Sequence, residues 1–189
     1  MNHLGTKLIE TNRLILRPFE VSDAKNMFKN WASDDKVTKY LVWPSHKDLS
    51  VTKNVLNQWI ENYQRLDYYQ WAIVPKELNE VIGSISVVNM NNQLKSVEIG
   101  YCIGYDFWKK GIVREAFKAL IPFFFKEVGV NRIESRHDLN NPASGKVMEK
   151  AGLLKEGMKR LADINNQGIC DCVFYGLVKE DWDYNINEK

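Results

Sequence analysis

The sequence predicts one α/β domain built on a mixed sheet. Three observations carry that prediction. Short runs rich in Val, Ile and Leu alternate with segments of helical spacing. Three strand-like runs follow one another between residues 69 and 103 with short turns between them, the pattern of an antiparallel meander. The last of these passes through a turn directly into a helix.

The elements follow in order. Residues 13–18 read as a strand closed by Pro18, which has no amide hydrogen for a ladder. Ser22-Asp23 offers an N-cap for a helix carrying Ala24, Met27, Phe28 and Trp31. A Pro/Ser/Asp loop at 44–50 leads to a second helix from about Val51 to Tyr63. The meander runs 69–74, 81–90 and 96–103, with turns at Asn79-Glu80 and Asn91-Asn92. After Gly111, the residues Ile112, Ala116, Ala119, Leu120 and Phe123 recur at helical spacing, and Pro122 is expected to end the regular part. A short strand at 132–136 and a helix at 141–151, stopped by Gly152, come next. Strands at about 158–164 and 169–178 flank the turn Asn165-Asn166-Gln167-Gly168. The order is β-α-α-β-β-β-α-β-α-β-β, about seven strands.

At 189 residues the chain suits a single domain, 1–189, without linker or internal repeat. A net charge of +2 excludes the strongly basic signature of a nucleic-acid partner. No run reaches the apolar length of a membrane span. Cys102, Cys170 and Cys172 make an odd count, which speaks against a disulfide framework and for a reducing, cytoplasmic setting. Cys170-x-Cys172 resembles half a zinc site, but the second pair is missing, so no metal is expected.

The chemistry begins at 105–116. A helix start presents amide hydrogens without carbonyl partners and a partial positive charge, so it can hold a diphosphate. Gly111 lets backbone and ligand approach closely. A strand–helix turn that simply needs a glycine is the plainer reading. Neither G-x-G-x-x-G nor a P-loop occurs.

Trp108-Lys109-Lys110-Gly111-Ile112-Val113 resembles the pyrophosphate loop of GNAT acetyltransferases, Q/R-x-x-G-x-G/A, with Trp108 and Val113 at the first and last positions. Residues 140–153 resemble the family's N-x-x-S-x-x-V-x-x-K-x-G-F helix, ending in Leu153. Arg13 to Pro18, Glu156-Gly157, Tyr175 to Leu177 and Trp182 also match, so the resemblance covers about 11–182. It is strongest to the branch of ribosomal-protein alanine acetyltransferases.

The resemblance implies the GNAT fold, with helices on both faces of the sheet, and transfer from acetyl-CoA to a primary amine. It implies that strands 96–103 and 132–136 splay, with pantetheine bonded to the backbone of Tyr101 and Ile103. Trp108, Lys109, Lys110, Gly111, Ile112, Val113 and Arg114 would cradle the phosphates, and Asn141 and Ser144 would reach the pantetheine arm. The family's acid is a tyrosine at the position of Met148, so Ser144, one turn earlier, is the substitute. Glu98 is the first choice of base and His137 the second. Tyr40 and Trp43 are expected to line the acceptor pocket. The acceptor is a protein N-terminus, a peptide or a small molecule, and the protein is a monomer or homodimer. The alternative is a CoA-binding module of the same fold without turnover.

Overall fold

A computed structural model describes residues 1–187, with side chains through Tyr184. Eight strands form one sheet in the order β1-β2-β3-β4-β5-β6-β8-β7. They are β1 (Ile9–Glu10), β2 (Leu14–Arg17), β3 (Gln70–Pro75), β4 (Gly83–Asn91), β5 (Ser96–Ile103), β6 (Arg132–Asp138), β7 (Leu154–Asn165) and β8 (Gly168–Val178). The expected count of seven is corrected to eight by β1, a two-residue strand that pairs Ile9 with Leu16 and Glu10 with Ile15. The sheet is mixed because β5 and β6 alone run parallel, joined by the long crossover that parallel strands require.

The helices are α1 (Ala24–Met27), α2 (Asp35–Thr38), α3 (Leu49–Asn62), α4 (Ile112–Pro122), α5 (Pro142–Ala151) and α6 (Lys179–Asn187). α1 continues as a π-helical turn, Phe28–Ala32. The α-helical part of α4 ends at Pro122 as expected, and a π-helical segment, Phe123–Val128, follows. The proline has no amide hydrogen to sustain the regular ladder.

The predicted cap at Ser22-Asp23 is replaced by something sturdier. Asp23 makes no side-chain cap to α1. Its carboxylate accepts the Glu20 amide and pairs with both Arg17 nitrogens at 2.8 Å, tying β2 to the helix start. Asp48 does cap α3, accepting from the amides of Ser50 and Val51.

Strand alternation assigns the two faces. Tyr69, just before β3, and Trp71 and Ile73 within it pack toward α4 and the π-helical segment after it, where Trp71 meets Phe123 and Phe124 edge-on. Ala72 and Val74 pack the other way, with Met27, Trp31 and Leu56 of the first helices. The sheet therefore has a helix layer on each face. On β5, Val97, Ile99, Tyr101 and Ile103 face α4, while Cys102 belongs to the opposite layer. This alternation places Glu98 on the face away from α4.

Candidate functional site

The ladder between β5 and β6 is short. It pairs Ser96 with Arg132, Val97 with Ile133 and Glu98 with Glu134, although β5 runs on to Ile103 and β6 to Asp138. Beyond residue 98 the strands part and leave a fork. Gly104 donates its amide to Ile82 on the β4 side. Alternation then turns the backbone groups of Tyr101 and Ile103 toward the fork. At its base Ser135 Oγ donates to the Ile99 carbonyl at 2.7 Å. At its mouth Trp108 Nε1 donates to the Ile103 carbonyl at 2.9 Å.

The start of α4 closes that mouth. Gly111 has φ 73°, a left-handed conformation that glycine adopts without strain. The first amide to reach a helical carbonyl is that of Glu115, which donates to Gly111. The amides of Ile112, Val113 and Arg114 precede it and have no carbonyl within the helix. The side chains of Ile112 and Val113 are buried in the core under the turn, so Val113 does not overhang it. Lys109, Lys110 and Arg114 are exposed. Trp108 packs against Tyr105, with ring centroids 4.9 Å apart and planes tilted by 54°.

Arg13 joins this turn from just before β2. A Cβ built on Gly111 would lie 3.7 Å from Arg114 Nη2 and 3.8 Å from Arg13 Nη2. Arg13 also donates to the Lys110 carbonyl and to Glu115. Two guanidinium groups thus flank a helix start with free amides, a setting for an anion. Sequence reasoning missed this placement of Arg13, because its partners are about 100 residues away.

Across the fork stands α5. Asn141 is its N-cap residue, followed by Pro142 at the first helical position, but the Asn141 side chain makes no cap. Met148 is buried in the core with 1% exposure, so no proton donor stands at that position. Ser144, in the first turn of α5, meets Tyr101. The Tyr101 hydroxyl lies 2.8 Å from Ser144 Oγ and 2.9 Å from the Ser144 carbonyl. Burial pushes the Tyr101 phenol well above its ordinary pKa, with the Ser144 hydrogen bond pulling back.

On the opposite face Glu98 is 6% exposed and pairs with Arg136 at 2.7 Å. Burial raises the Glu98 pKa, and the attraction of Arg136 offsets that only in part. Arg136 Nε bonds Asp163 at 2.8 Å, linking Glu98 to the β7–β8 hairpin.

Arg136 and Asp163 line a cleft of about 70 Å³, with Tyr40, Val42, Asp138 and Asn165. The hairpin tip is fastened over it. Asn166 donates its side-chain amide to the carbonyls of Thr38 and Trp43, and its backbone amide to Leu41. Burial pushes the Asp138 pKa up, but hydrogen bonds from Asn140 and Asn165 outweigh it and hold the carboxyl low. Asp138 therefore stays an anion in the cleft wall. Cys170 and Cys172 are free thiols 3.9 Å apart at the same cleft.

Of the expected acceptor residues, Tyr40 lines the cleft and Trp43 does not. Trp43 packs against the α1–α3 layer and against the tilted ring of His46 at 5.4 Å. His137 is placed on the α5 face. Its Nδ1 donates to the Asp138 carbonyl at 2.8 Å, and its ring packs against Tyr175 at a tilt. His137 Nε2 lies where a Cβ on Gly145 would be, 2.5 Å away, so only glycine fits at that point of α5. His137 also lines the cleft, and Glu98 is linked to it through Arg136. Among the described residues no group of three or more His, Cys, Asp or Glu could hold a metal, and no helix is long and apolar enough to cross a membrane.

Comparison with known proteins gives the arrangement a setting. Residues 13–154 match the family model described as acetyltransferase (GNAT) domain. The chain is 30% identical over 172 residues to the uncharacterized N-acetyltransferase p20 of Bacillus licheniformis, covering 91% of this chain and 96% of p20. Among solved structures it resembles RimL, a ribosomal L7/L12 alpha-N-protein acetyltransferase in complex with coenzyme A. The TM-score is 0.82 with 21% identity, over 93% of this chain and 99% of that one. It also resembles the microcin C7 self-immunity acetyltransferase MccE in complex with acetyl-CoA and AMP. There the TM-score is 0.79 with 23% identity, over 89% and 93%. At these identities the two structures carry the fold.

Proposed function

The chain belongs to the GNAT acetyltransferase family, and on that premise we propose that it moves an acetyl group from acetyl-CoA to a primary amine by direct attack in a ternary complex. The observation that carries the reading is the fork between β5 and β6 with the free amides of α4 at its mouth. The diphosphate lies on the amides of Ile112, Val113 and Arg114, with Arg13 and Arg114 beside it. Because Val113 is turned into the core, the departure from the family's small residue there leaves the cradle open. The pantetheine arm follows the fork along the backbone of Tyr101 and Ile103, within reach of Asn141.

The acceptor enters from the opposite face, through the cleft at Tyr40. Asp138 and Asp163 there favour a cationic amine. An amine attacks only after losing a proton, and Glu98 takes it, through water. The thioester carbon–sulfur bond then breaks and Ser144 meets the departing sulfur as a hydrogen-bond donor. The structural likeness to RimL, named for a protein α-amino group, makes a protein N-terminus the first acceptor class to try. Three free thiols suit a cytoplasmic setting.

Acetyl-CoA is expected to stabilise the protein against heat. A ligand that binds only the folded state at 100 times its Kd adds about 2.7 kcal/mol. Calorimetry and a melting scan with and without acetyl-CoA check this. No heat of binding and no rise in Tm would remove the donor from the scheme.

A further inference from the structure

Tyr101 enters the reading above only through its backbone, yet its side chain makes the one direct bridge from β5 to Ser144. The phenol lies edge-on to Phe117 at 6.0 Å, which fixes the ring between α4 and α5. Its oxygen stands within hydrogen-bond distance of both Ser144 oxygens.

The two hydroxyls hold two hydrogens, and the carbonyl of Ser144 can only accept. In one arrangement Tyr101 donates to that carbonyl, and Ser144 donates to the phenol oxygen. Both hydrogens are then spent inside the pair. In the other, Tyr101 donates to Ser144 Oγ, and the Ser144 hydrogen is free to turn outward. Rotation about two C–O bonds exchanges them, and no heavy atom has to move.

We infer that Tyr101 and Ser144 form a switchable hydrogen-bond chain, with Tyr101 the positioning residue that frees and polarises the Ser144 hydrogen for the thiolate of departing CoA. The inference rests on the placement of Ser144 at the sulfur in the function proposed above. When negative charge develops on sulfur, the second arrangement becomes the more favourable one. A hydroxyl that is itself a hydrogen-bond acceptor is a stronger donor, so the two bonds reinforce each other. No proton leaves either hydroxyl. The carbon–sulfur electron pair stays on sulfur, and the thiolate departs hydrogen-bonded. Because the phenol is far harder to ionise than a free tyrosine, it remains a donor at every working pH.

The test compares the parent with Tyr101→Phe, Ser144→Ala and the double variant in the full chain. Each is saturated with CoA, and its thiol is titrated by thiolate absorbance in the ultraviolet. The chain lowers the pKa of the bound thiol. In Tyr101→Phe the pKa is expected to rise by about one unit, the scale of one charge-assisted hydrogen bond weakened. Ser144→Ala is expected to raise it further, and the double variant to match Ser144→Ala. With an accepted amine, kcat falls about 10-fold in Tyr101→Phe and about 10²-fold in Ser144→Ala, while the acetyl-CoA Kd stays put. A purely structural tyrosine would not move the thiol titration. An unchanged titration in Tyr101→Phe overturns the inference. So does one in Ser144→Ala, or a double variant in which the two effects add. If the titrations behave as stated but no amine is turned over, the chain stands and the proposed catalysis is what fails.

Discussion

Gly111→Glu is expected to abolish acetyl-CoA binding, with a loss of at least about 10²-fold in affinity, the scale of breaking a desolvated charge contact. Two effects combine. Gly111 sits at φ 73°, where a side chain costs on the order of 1 kcal/mol. The space itself is open, since the nearest atoms to a Cβ there are Arg114 Nη2 at 3.7 Å and Arg13 Nη2 at 3.8 Å. The new carboxylate therefore lands between the two guanidiniums and the free amides, and takes the place of the ligand's diphosphate. The domain can absorb the backbone strain, because a fold of this size has several kcal/mol in reserve. Gly111→Asn serves as the control. It keeps a residue tolerant of the left-handed conformation and adds no charge, so it should retain most of the affinity. Calorimetry on both variants, with circular dichroism for folding, decides the matter. A folded Gly111→Glu that binds as tightly as the parent would place the phosphates elsewhere.

Glu98→Gln is expected to lower turnover by about 10²- to 10³-fold, within the range for losing a general base, and to flatten the acid side of the pH profile. Burial raises the Glu98 pKa and Arg136 counters only part of it, so the free enzyme holds that proton above the ordinary glutamate value of about 4.3. In the parent, kcat/KM should therefore fall as pH drops through this raised pKa, because the protonated carboxyl cannot accept from the amine. The amide of glutamine has no such limb. Acetyl-CoA affinity should change little, because Glu98 lies on the sheet face away from α4. A Glu98→Gln variant with parental turnover and the same acid limb would transfer the role of base to another group. His137 is the next group to test, since its Nδ1 donates to a carbonyl and leaves Nε2 as an acceptor without a hydrogen-bond partner.

The sequence disclosed the parts of this protein that repeat locally. The meander was legible because β3, β4 and β5 are apolar runs separated by turn residues, and Asn79 and Lys95 do adopt positive φ between them. Gly111 was legible because a helix start after a strand has few uses. Two strand features escaped. β1 has two residues, too few for any alternation to register. β7 begins at Leu154 rather than about 158, and as an edge strand it is exposed along most of its length, so burial leaves no period to read.

The site was harder because its contacts are distant in sequence. Arg13, just before β2, reaches the turn at Gly111, and Tyr101 meets Ser144 across 43 positions. Asp138, Asp163 and Asn165 converge only once the hairpin folds back on residues 38–43. Asp138, Asp163 and Asn165 read in sequence as ordinary polar positions. Trp43 does not line that cleft itself: its side chain packs against the α1–α3 layer, while its carbonyl holds Asn166 of the hairpin tip.

Acetyl transfer to a primary amine at the fork is measured directly by release of the CoA thiol from acetyl-CoA across a panel of amines. The panel should include peptides with free N-termini, lysine side chains, polyamines and amino sugars. Amine-dependent release is expected with at least one class, and it is expected to be lost in Glu98→Gln and in Gly111→Glu. Tight acetyl-CoA binding without release across the whole panel would contradict this and leave a CoA-binding module that no longer transfers.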